Sequence, residues 1–389
     1  MKDYSSMKKV LRATDDPEEM IAIGKTIYEN NPDIYIERRK ALLDSVIDDN
    51  MPGASKEEKT RMLFRSIYDY WMYGVTAKEE FSLLFYNKTH TEKEQYITFR
   101  SRFLYTSHLN DTPYAYELLE DKYHCFLGFR DRYLRDVICI ETEADYPEFA
   151  AFVEKHPTFV VKPVGLGFGM GVHKQTVGPG AVPHEVFSEI LQGGDAIREK
   201  YHIATHTKRF VLEELIDQSD EMGCLHPNSV NCVRLNTVMV DGKAHVFYPW
   251  LKVGRHGNFI SNAGDDGIMV GIDPATGCCD VDASDEFNHR YEIHPDTKIR
   301  FRGFQIPAWD ELLQLGDELA RKLAPRINYV GWDMAYTNAG WSIMEGNSEA
   351  EFLPQIQYGR GLKREFEELI HWKPSVEYWW EDPVSTKIG

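Results

Sequence analysis

The sequence predicts a mixed fold, α/β or α+β in class, behind an all-helical N-terminal layer. Three observations carry that expectation: helical apolar periodicity from Asp15 to about Phe103, short β-branched runs between helical patterns after about Asn110, and hairpin turn signals between those runs.

In the N-terminal stretch Ile67, Tyr70, Trp71 and Gly74 follow the 3.6 period, and Phe81, Leu84 and Phe85 continue it beyond a turn at 75–78. Asn50-Met51-Pro52-Gly53-Ala54-Ser55 ends one helix and starts another. Ser55 is placed as N-cap and Glu58 as its capping-box partner, each satisfying a backbone N–H of the first turn. The strand runs are 137–140, 159–162, 210–216, 233–240, 244–250 and 330–337. Asp241-Gly242 reads as a two-residue hairpin turn and Asn338-Ala339-Gly340 as a three-residue one. A long amphipathic helix, Trp309–Leu323, stops before Pro325. There is no internal repeat.

With 62 acidic against 44 basic side chains, the 389-residue chain has a formal charge of −18, and its cations are scattered among acids. Such a surface repels nucleic-acid phosphates, so no nucleic-acid partner is expected. The 42% hydrophobic and 13% aromatic content excludes general disorder. Cys125, Cys139, Cys224, Cys232, Cys278 and Cys279 form no C-x-x-C pair, which points to a reducing, cytoplasmic compartment. The N-terminus lacks an apolar signal core, and no stretch approaches the roughly 20 apolar residues of a membrane span.

The most informative stretch is 159–174, where Gly165, Gly167, Gly169 and Gly171 fall at every second position. Glycine lets backbone N–H groups approach a ligand without a Cβ in the way, and a run of such amides cradles phosphate. The loop lacks the Gly-Lys-Ser/Thr ending of a Walker loop, and Met170 and Val172 break the dinucleotide G-x-G-x-x-G pattern. Residues 172–177 read as another strand, so the glycines form a hairpin flap suited to cover a triphosphate. Lys162, held by Pro163, sets a fixed positive charge beside it. Taken alone, the loop is also compatible with an ordinary glycine-rich turn.

A carboxylate pair follows from counting. If 338–340 is the turn, Thr337 opposes Trp341 and Asp333 opposes Glu345. Directly opposed side chains share a face with Cβ atoms about 5 Å apart, and Asn347 follows on that face. Opposed like charges destabilise a sheet unless something positive lies between them, and an all-oxygen set suits Mg²⁺. Carboxylates pointing into water are the alternative.

Lys162, the glycine loop, Phe210-Val211-Leu212-Glu213-Glu214-Leu215-Ile216 and the hairpin from Gly331-Trp332-Asp333 to Glu345-Gly346-Asn347 together resemble the ATP-grasp superfamily in order and spacing. More narrowly, Tyr68-Asp69-Tyr70-Trp71-Met72-Tyr73-Gly74, then Lys252-Val253-Gly254-Arg255 to Gly271-Ile272-Asp273, resemble its sugar-transfer-associated bacterial group, over roughly residues 59–352. The resemblance implies an α+β ATP-grasp fold of two subdomains gripping ATP: a helical region at 1–110, a first subdomain with the flap at 111–216, and a second with the metal-binding hairpin at 217–389. It implies that Lys122 and Lys162 reach the α- and β-phosphates under the flap amides of Gly165, Gly167, Gly169 and Gly171. Glu213 then accepts from the adenine amino group, with Glu214, Leu215 and Ile216 along the adenine slot. Asp220 binds the ribose, with Asp217 as competitor. Asp333, Glu345 and Asn347 match the metal positions, which calls for ATP with two Mg²⁺ ions. Arg234 matches the arginine at the γ-phosphate and acyl-phosphate, and Arg255 joins it as a catalytic cation. Met170 and the aspartates Asp265 and Asp266 depart from the usual pattern; the aspartates suit a cationic acceptor or are turn residues.

The implied reaction phosphorylates a small carboxylate to an acyl-phosphate, which an amine displaces, in surface polysaccharide assembly or small-metabolite modification. A kinase acting on a hydroxyl acceptor and a nucleotide-binding protein without chemistry are the other readings. His90, His108, His173, His256 and His371 show no ligand spacing and read as surface or satisfied histidines. Trp372, Tyr378, Trp379 and Trp380 read as core packing or a docking tail before a sugar platform. The oligomeric state is not readable.

Overall fold

The computed structural model describes residues 5–30, 37–167, 169–201, 208–262, 264 and 266–382. The chain forms two compact units, one of residues 1–109, 284–290 and 351–389, the other of residues 110–283 and 291–350.

The first unit is helical, with Pro17–Asn30, Glu37–Asn50, Lys56–Tyr73, Ala77–Ser82 and Arg102–Leu109 as its N-terminal helices. The expected capping box at Ser55 and Glu58 is present, and Thr76 with Glu79 repeats it one helix later. Gly74 ends the first of these helices at φ 75°, a left-handed turn that only glycine adopts without strain. The buried indoles of Trp379 and Trp380 donate to the carbonyls of Tyr70 and Trp71, so this part of the aromatic cluster is packing. Trp372 stacks on His108.

The second unit carries two sheets. The smaller, of β1 (Val137–Ile140), β2 (Thr158–Pro163), β3 (His173–Thr176) and β4 (Phe210–Glu214), has the order β1-β4-β2-β3. The larger has β5 (Cys232–Val240), β6 (Lys243–Val246), β7 (Trp250–Val253), β8 (Ile268–Gly271), the two-residue strands β9 (Ala283–Ser284) and β10 (Arg290–Tyr291), β11 (Tyr329–Thr337) and β12 (Gly340–Asn347). Its path runs β10-β9-β8-β7-β5-β11-β12, with β6 on β5.

Side-chain alternation decides what each sheet face does. In the smaller sheet Ile138, Ile140, Phe159, Val161, Phe210 and Leu212 form one core with helices Tyr146–Lys155 and Pro183–Tyr201. The opposite parity holds Val160, opposed to Glu213 on β4 and Lys174 on β3, and Lys162 two residues on. In the larger sheet Val233, Leu235, Leu251, Val253, Trp332, Met334 and Ile343 pack with Leu312, Leu315, Leu319 and Leu323 of helix Trp309–Leu323, which spans the residues its periodicity predicts. Gly316 of that helix lets it sit close, because a Cβ there would lie 2.7 Å from Leu235 Cδ2. The other parity holds Lys252, Cys232, Arg234, Asp333 and Glu345.

Two local expectations need correction. Residues 244–250 are not one strand: Tyr248 sits at φ 43° and Pro249 has no N–H, so the ladder breaks between β6 and β7, which pair with successive parts of β5. The 338–340 turn has two residues, with Thr337 opposite Gly340. A one-residue slip should have put Asp333 and Glu345 out of register, but a bulge next to Met334 and Ile343 absorbs it and Asp333 opposes Glu345 after all. Asp241-Gly242 is the expected turn, with positive φ at both residues.

Candidate active site

The polar faces of both sheets contribute to one cavity of about 450 Å³. From the smaller sheet and its loops come Lys122, Val160, Lys162, Gly167, Gly169, Lys174, Glu213, Glu214, Leu215 and Ile216; Asp220, Cys232, Asp333, Met344 and Glu345 come from the larger sheet and the segment leading to it.

Lys122 opens helix Lys122–Gly128, capped by Asp121, and its Nζ donates to the carbonyl of Leu166 inside the glycine loop. Among the loop glycines, Gly169 and Gly171 have φ 75°, and a Cβ on Gly171 would also lie 2.8 Å from Ile197 and Pro163. Gly165 and Gly167 have open space where a Cβ would stand, so the fold itself does not require glycine there. Asp220 lines the cavity, whereas Asp217 accepts from Asn338 Nδ2 at 2.8 Å.

Glu213 is buried, and its Oε2 takes Lys162 Nζ at 2.9 Å and Arg135 Nη2 at 2.7 Å. Burial by itself would raise the carboxyl, but Arg135 and Lys162 together hold it at about 2. Every one of these bonds ends on Oε2, which leaves Oε1 as an acceptor. Glu214 accepts from the backbone N–H of Asp136 at 3.0 Å.

Asp333 lies directly opposite Arg234 of β5 and is gripped by it, Nε to Oδ1 at 2.6 Å and Nη2 to Oδ2 at 2.9 Å; Lys252 Nζ adds a third contact to Oδ2 at 2.9 Å. Burial opposes the charge on Asp333, yet Arg234 and then Lys252 hold its carboxyl well below the ordinary range. The two cations answer the repulsion argument, so opposed carboxylates do not by themselves demand an ion. What points to one is Glu345: half-buried at the cavity wall, it receives no hydrogen bond or ion pair among the described residues. Asp333 Oδ1 has a single partner and keeps a lone pair, and Asn347 Nδ2 donates to Gly331 O at 3.3 Å, leaving its own oxygen unbonded. Such an oxygen set fits a divalent ion that retains several waters.

Arg234 and Arg255 are not among the residues lining the cavity. Arg234 stands behind Asp333; Arg255 binds Asp266 and the hydroxyl of Tyr291. Asp265 lies outside the described residues, and Asp266 is held by Arg255 and His256. Elsewhere Asp136, His156 and Glu214 bring ligand-type atoms within 4.8 Å of one another, but Asp136 is already paired with Lys155 and His156.

Sequence reasoning missed three groups. Lys252 lies in the quoted Lys252-Val253-Gly254-Arg255 segment, and only the β5–β7 register, with Cys232 opposite Lys252, puts it on the cavity face. Arg135 precedes β1 and is anchored by the carbonyls of Tyr133 and Ile343. His226 and Ser229 form a buried pair at 2.8 Å; a histidine three residues from a serine was the available signal.

A family model described as sugar-transfer associated ATP-grasp matches residues 100–370. A search of curated proteins finds no match. Among solved structures the chain is similar to the D-alanyl-alanine synthetase A of Vibrio cholerae, 12% identical over 60% of this chain and 56% of that one, at a TM-score of 0.34. It is also similar to the VanG D-Ala:D-Ser ligase of Enterococcus faecalis, 16% identical over 64% and 57%, at 0.36, and to the D-alanine-D-alanine ligase of Helicobacter pylori, 14% identical over 67% and 60%, at 0.37. The chain spans less than two thirds of the length of each of these three. Among the described residues, no helix is long and apolar enough to cross a membrane.

Proposed function

Because the chain belongs to the sugar-transfer associated ATP-grasp family, we propose that it is an ATP-dependent ligase of the cytoplasm that activates a small carboxylate as an acyl-phosphate and joins it to an amine. Surface polysaccharide assembly or small-metabolite modification is its setting, and the division into subdomains at 111–216 and 217–389 belongs to the same proposal. The observation that carries the reading is one cavity lined by three lysines, Lys122, Lys162 and Lys174, a glycine loop and an opposed carboxylate pair.

Each group has a task that its geometry favours. Glu213 Oε1 accepts from the adenine amino group while Oε2 holds Lys162 toward the phosphates. Leu215 and Ile216 flank the base and Asp220 takes the ribose. Lys122, tied to the Leu166 carbonyl, couples phosphate binding to the position of the flap. Fixed cations facing a transferring phosphoryl group stabilise the charge that spreads over its oxygens, and Arg234 and Lys252 supply that field from behind Asp333. Glu345, Asp333 and Asn347 would hold Mg²⁺, which supplies charge neutralisation to the β- and γ-phosphates when bound. The flap, once closed, excludes the water that otherwise hydrolyses an acyl-phosphate.

The test is a panel of carboxylates crossed with amines, read as ADP and inorganic phosphate. A ligase releases both only when acid and amine are present together. A stable phosphoester on a hydroxyl compound makes the protein a kinase, and absence of nucleotide turnover with every pair overturns the enzymatic reading.

A further inference from the structure

The nucleotide assignments leave unused the part of the cavity wall formed by residues 227–230 and 259–262. Ser229 belongs to it. Its Oγ lies 2.8 Å from Nδ1 of His226, and the other ring nitrogen of His226, Nε2, lies 3.8 Å from Oδ2 of Asp296. The serine and histidine are 4% and 2% exposed, whereas the Asp296 side chain is 34% exposed. One imidazole therefore connects a hydroxyl of the cavity wall with a carboxylate that reaches solvent.

The surroundings are built around this contact. Gly254 must be glycine, since a Cβ there would lie 2.4 Å from Ser229 Oγ and 2.8 Å from His226 Nδ1. Asn231 donates through Nδ2 to the carbonyls of Met222 and His226, so its Oδ1 can only accept, and the single proton of Ser229 Oγ is divided between that oxygen at 3.3 Å and the nearer Nδ1 of His226 at 2.8 Å. The titratable groups facing His226 are Asp296, His294 and His256. His294, stacked at 5.7 Å, has no freedom to change state: Nε2 must carry a proton to donate to Gly254 O, and Nδ1 accepts from the N–H groups of Asp296 and Thr297. His256 is engaged with Asp266. His226 alone of these three has a hydroxyl on one nitrogen and a carboxylate on the other, both of which serve either protonation state.

We propose that Ser229, His226 and Asp296 form a proton relay that accepts the proton of the incoming amine. The proposal rests on the ligase reading. As the amine nitrogen bonds to the acyl carbon, the C–O bond to phosphorus breaks and phosphate leaves with the electron pair. The ammonium proton passes to Ser229 Oγ, the hydroxyl proton passes to His226 Nδ1, and the imidazolium is stabilised by Asp296 until Nε2 releases its proton to water. Burial keeps His226 below the ordinary histidine range, which favours the neutral ring that accepts a proton.

Side-chain ¹⁵N NMR of the full chain, with His226→Gln to assign the signals, reads the relay without any substrate. The expected result is a neutral His226 protonated on Nε2, with a titration midpoint that falls in Asp296→Asn because the carboxylate favouring the imidazolium is gone. A neutral His226 protonated on Nδ1 from pH 5 to 9, or a midpoint unmoved in Asp296→Asn, overturns the relay. With a productive acid and amine pair, Asp296→Asn lowers kcat by about a hundredfold and shifts its pH profile with the NMR midpoint, while ATP affinity by calorimetry stays; a profile that does not move overturns it too. If no pair releases ADP, the ligase reading fails, and the tautomer measurement still decides the relay.

Discussion

Both compact units bury carboxylates, and they do opposite things with them. In the helical unit Asp69 and Glu80 are buried, Glu79 is half-buried, and all three are pushed up: loss of solvation is the largest cause, taking Glu79 to about 7 and Glu80 well above the ordinary value. Lys93 reaches Asp69 Oδ1 at 2.6 Å and Arg65 stands 3.9 Å from Oδ2, while the Glu80 carboxyl faces Asp69 and shares a hydrogen bond with it. In the sheet unit Glu213 and Asp333 are equally buried and both are pulled down, because each is met by two cations at hydrogen-bond distance. Loss of solvation is common to the two sets; what differs is how closely the cations approach, since Arg65 stands 3.9 Å from Asp69 whereas Arg234 and Lys252 both lie within 2.9 Å of Asp333. In one unit the shifts favour the protonated carboxyls, and in the other they favour the carboxylates.

The largest expected effect comes from removing a cation in the sheet unit. Arg234→Met or Lys252→Met leaves Asp333 buried with too little compensation and should cost about 3–5 kcal/mol in urea unfolding. A loss under about 1 kcal/mol would erase the contrast between the units.

Next in size is the pH response, which should run in opposite directions. Glu213 has its folded value lowered, so its contribution is complete above about 4.5 and is lost as pH falls toward about 2. Glu79 has its folded value raised, so its contribution is complete below about 4.5 and is lost as pH rises through about 7. Segment-resolved hydrogen exchange, corrected for intrinsic rates, should show the sheet unit loosening as pH falls below about 4.5 and the helical unit loosening as pH rises from about 4.5 through about 7. Glu80→Gln should relieve the loss on raising pH above about 4.5 by about 1–3 kcal/mol, since an amide has no charge to bury; equal pH profiles for the variant and the parent would contradict the raised value of Glu80.

Smaller effects separate fold from function within the flap. Gly171→Ala should destabilise by about 1–3 kcal/mol, through its positive φ and the contact with Ile197. Gly167→Ala should leave the melting temperature unchanged and weaken ATP binding. The smallest stability change is expected of Glu345→Gln, within about 0.5 kcal/mol, because that half-buried carboxylate receives no hydrogen bond or ion pair among the described residues. Its signature is instead a loss of Mg²⁺ dependence in ATP affinity by about tenfold or more; unaltered Mg²⁺ dependence would remove Glu345 from the metal set.

Much of this was legible in the sequence where neighbours along the chain decide the outcome. The Ser55 and Glu58 box, the Asp241-Gly242 hairpin and helix Trp309–Leu323 depend on spacings of two to four residues, and their residue types carry the geometry. The Asp333 and Glu345 pairing was reached through a turn that differs by one residue, and it holds because of a bulge no local pattern announced. Histidines were judged by ligand spacing, which passed over His226, whose partners Ser229 and Asp296 lie three and seventy residues away.

The sequence by itself determined the helical layer, the strands, the glycine flap and the lysine beside it, because turn chemistry, caps and periodicity act over a few residues. Only the tertiary structure decided the charges of the site. Which carboxylates meet Arg135, Arg234 and Lys252 follows from strand order and register between segments about eighty to a hundred residues apart. An ion pair falls off over a few ångströms in space and is indifferent to separation along the chain.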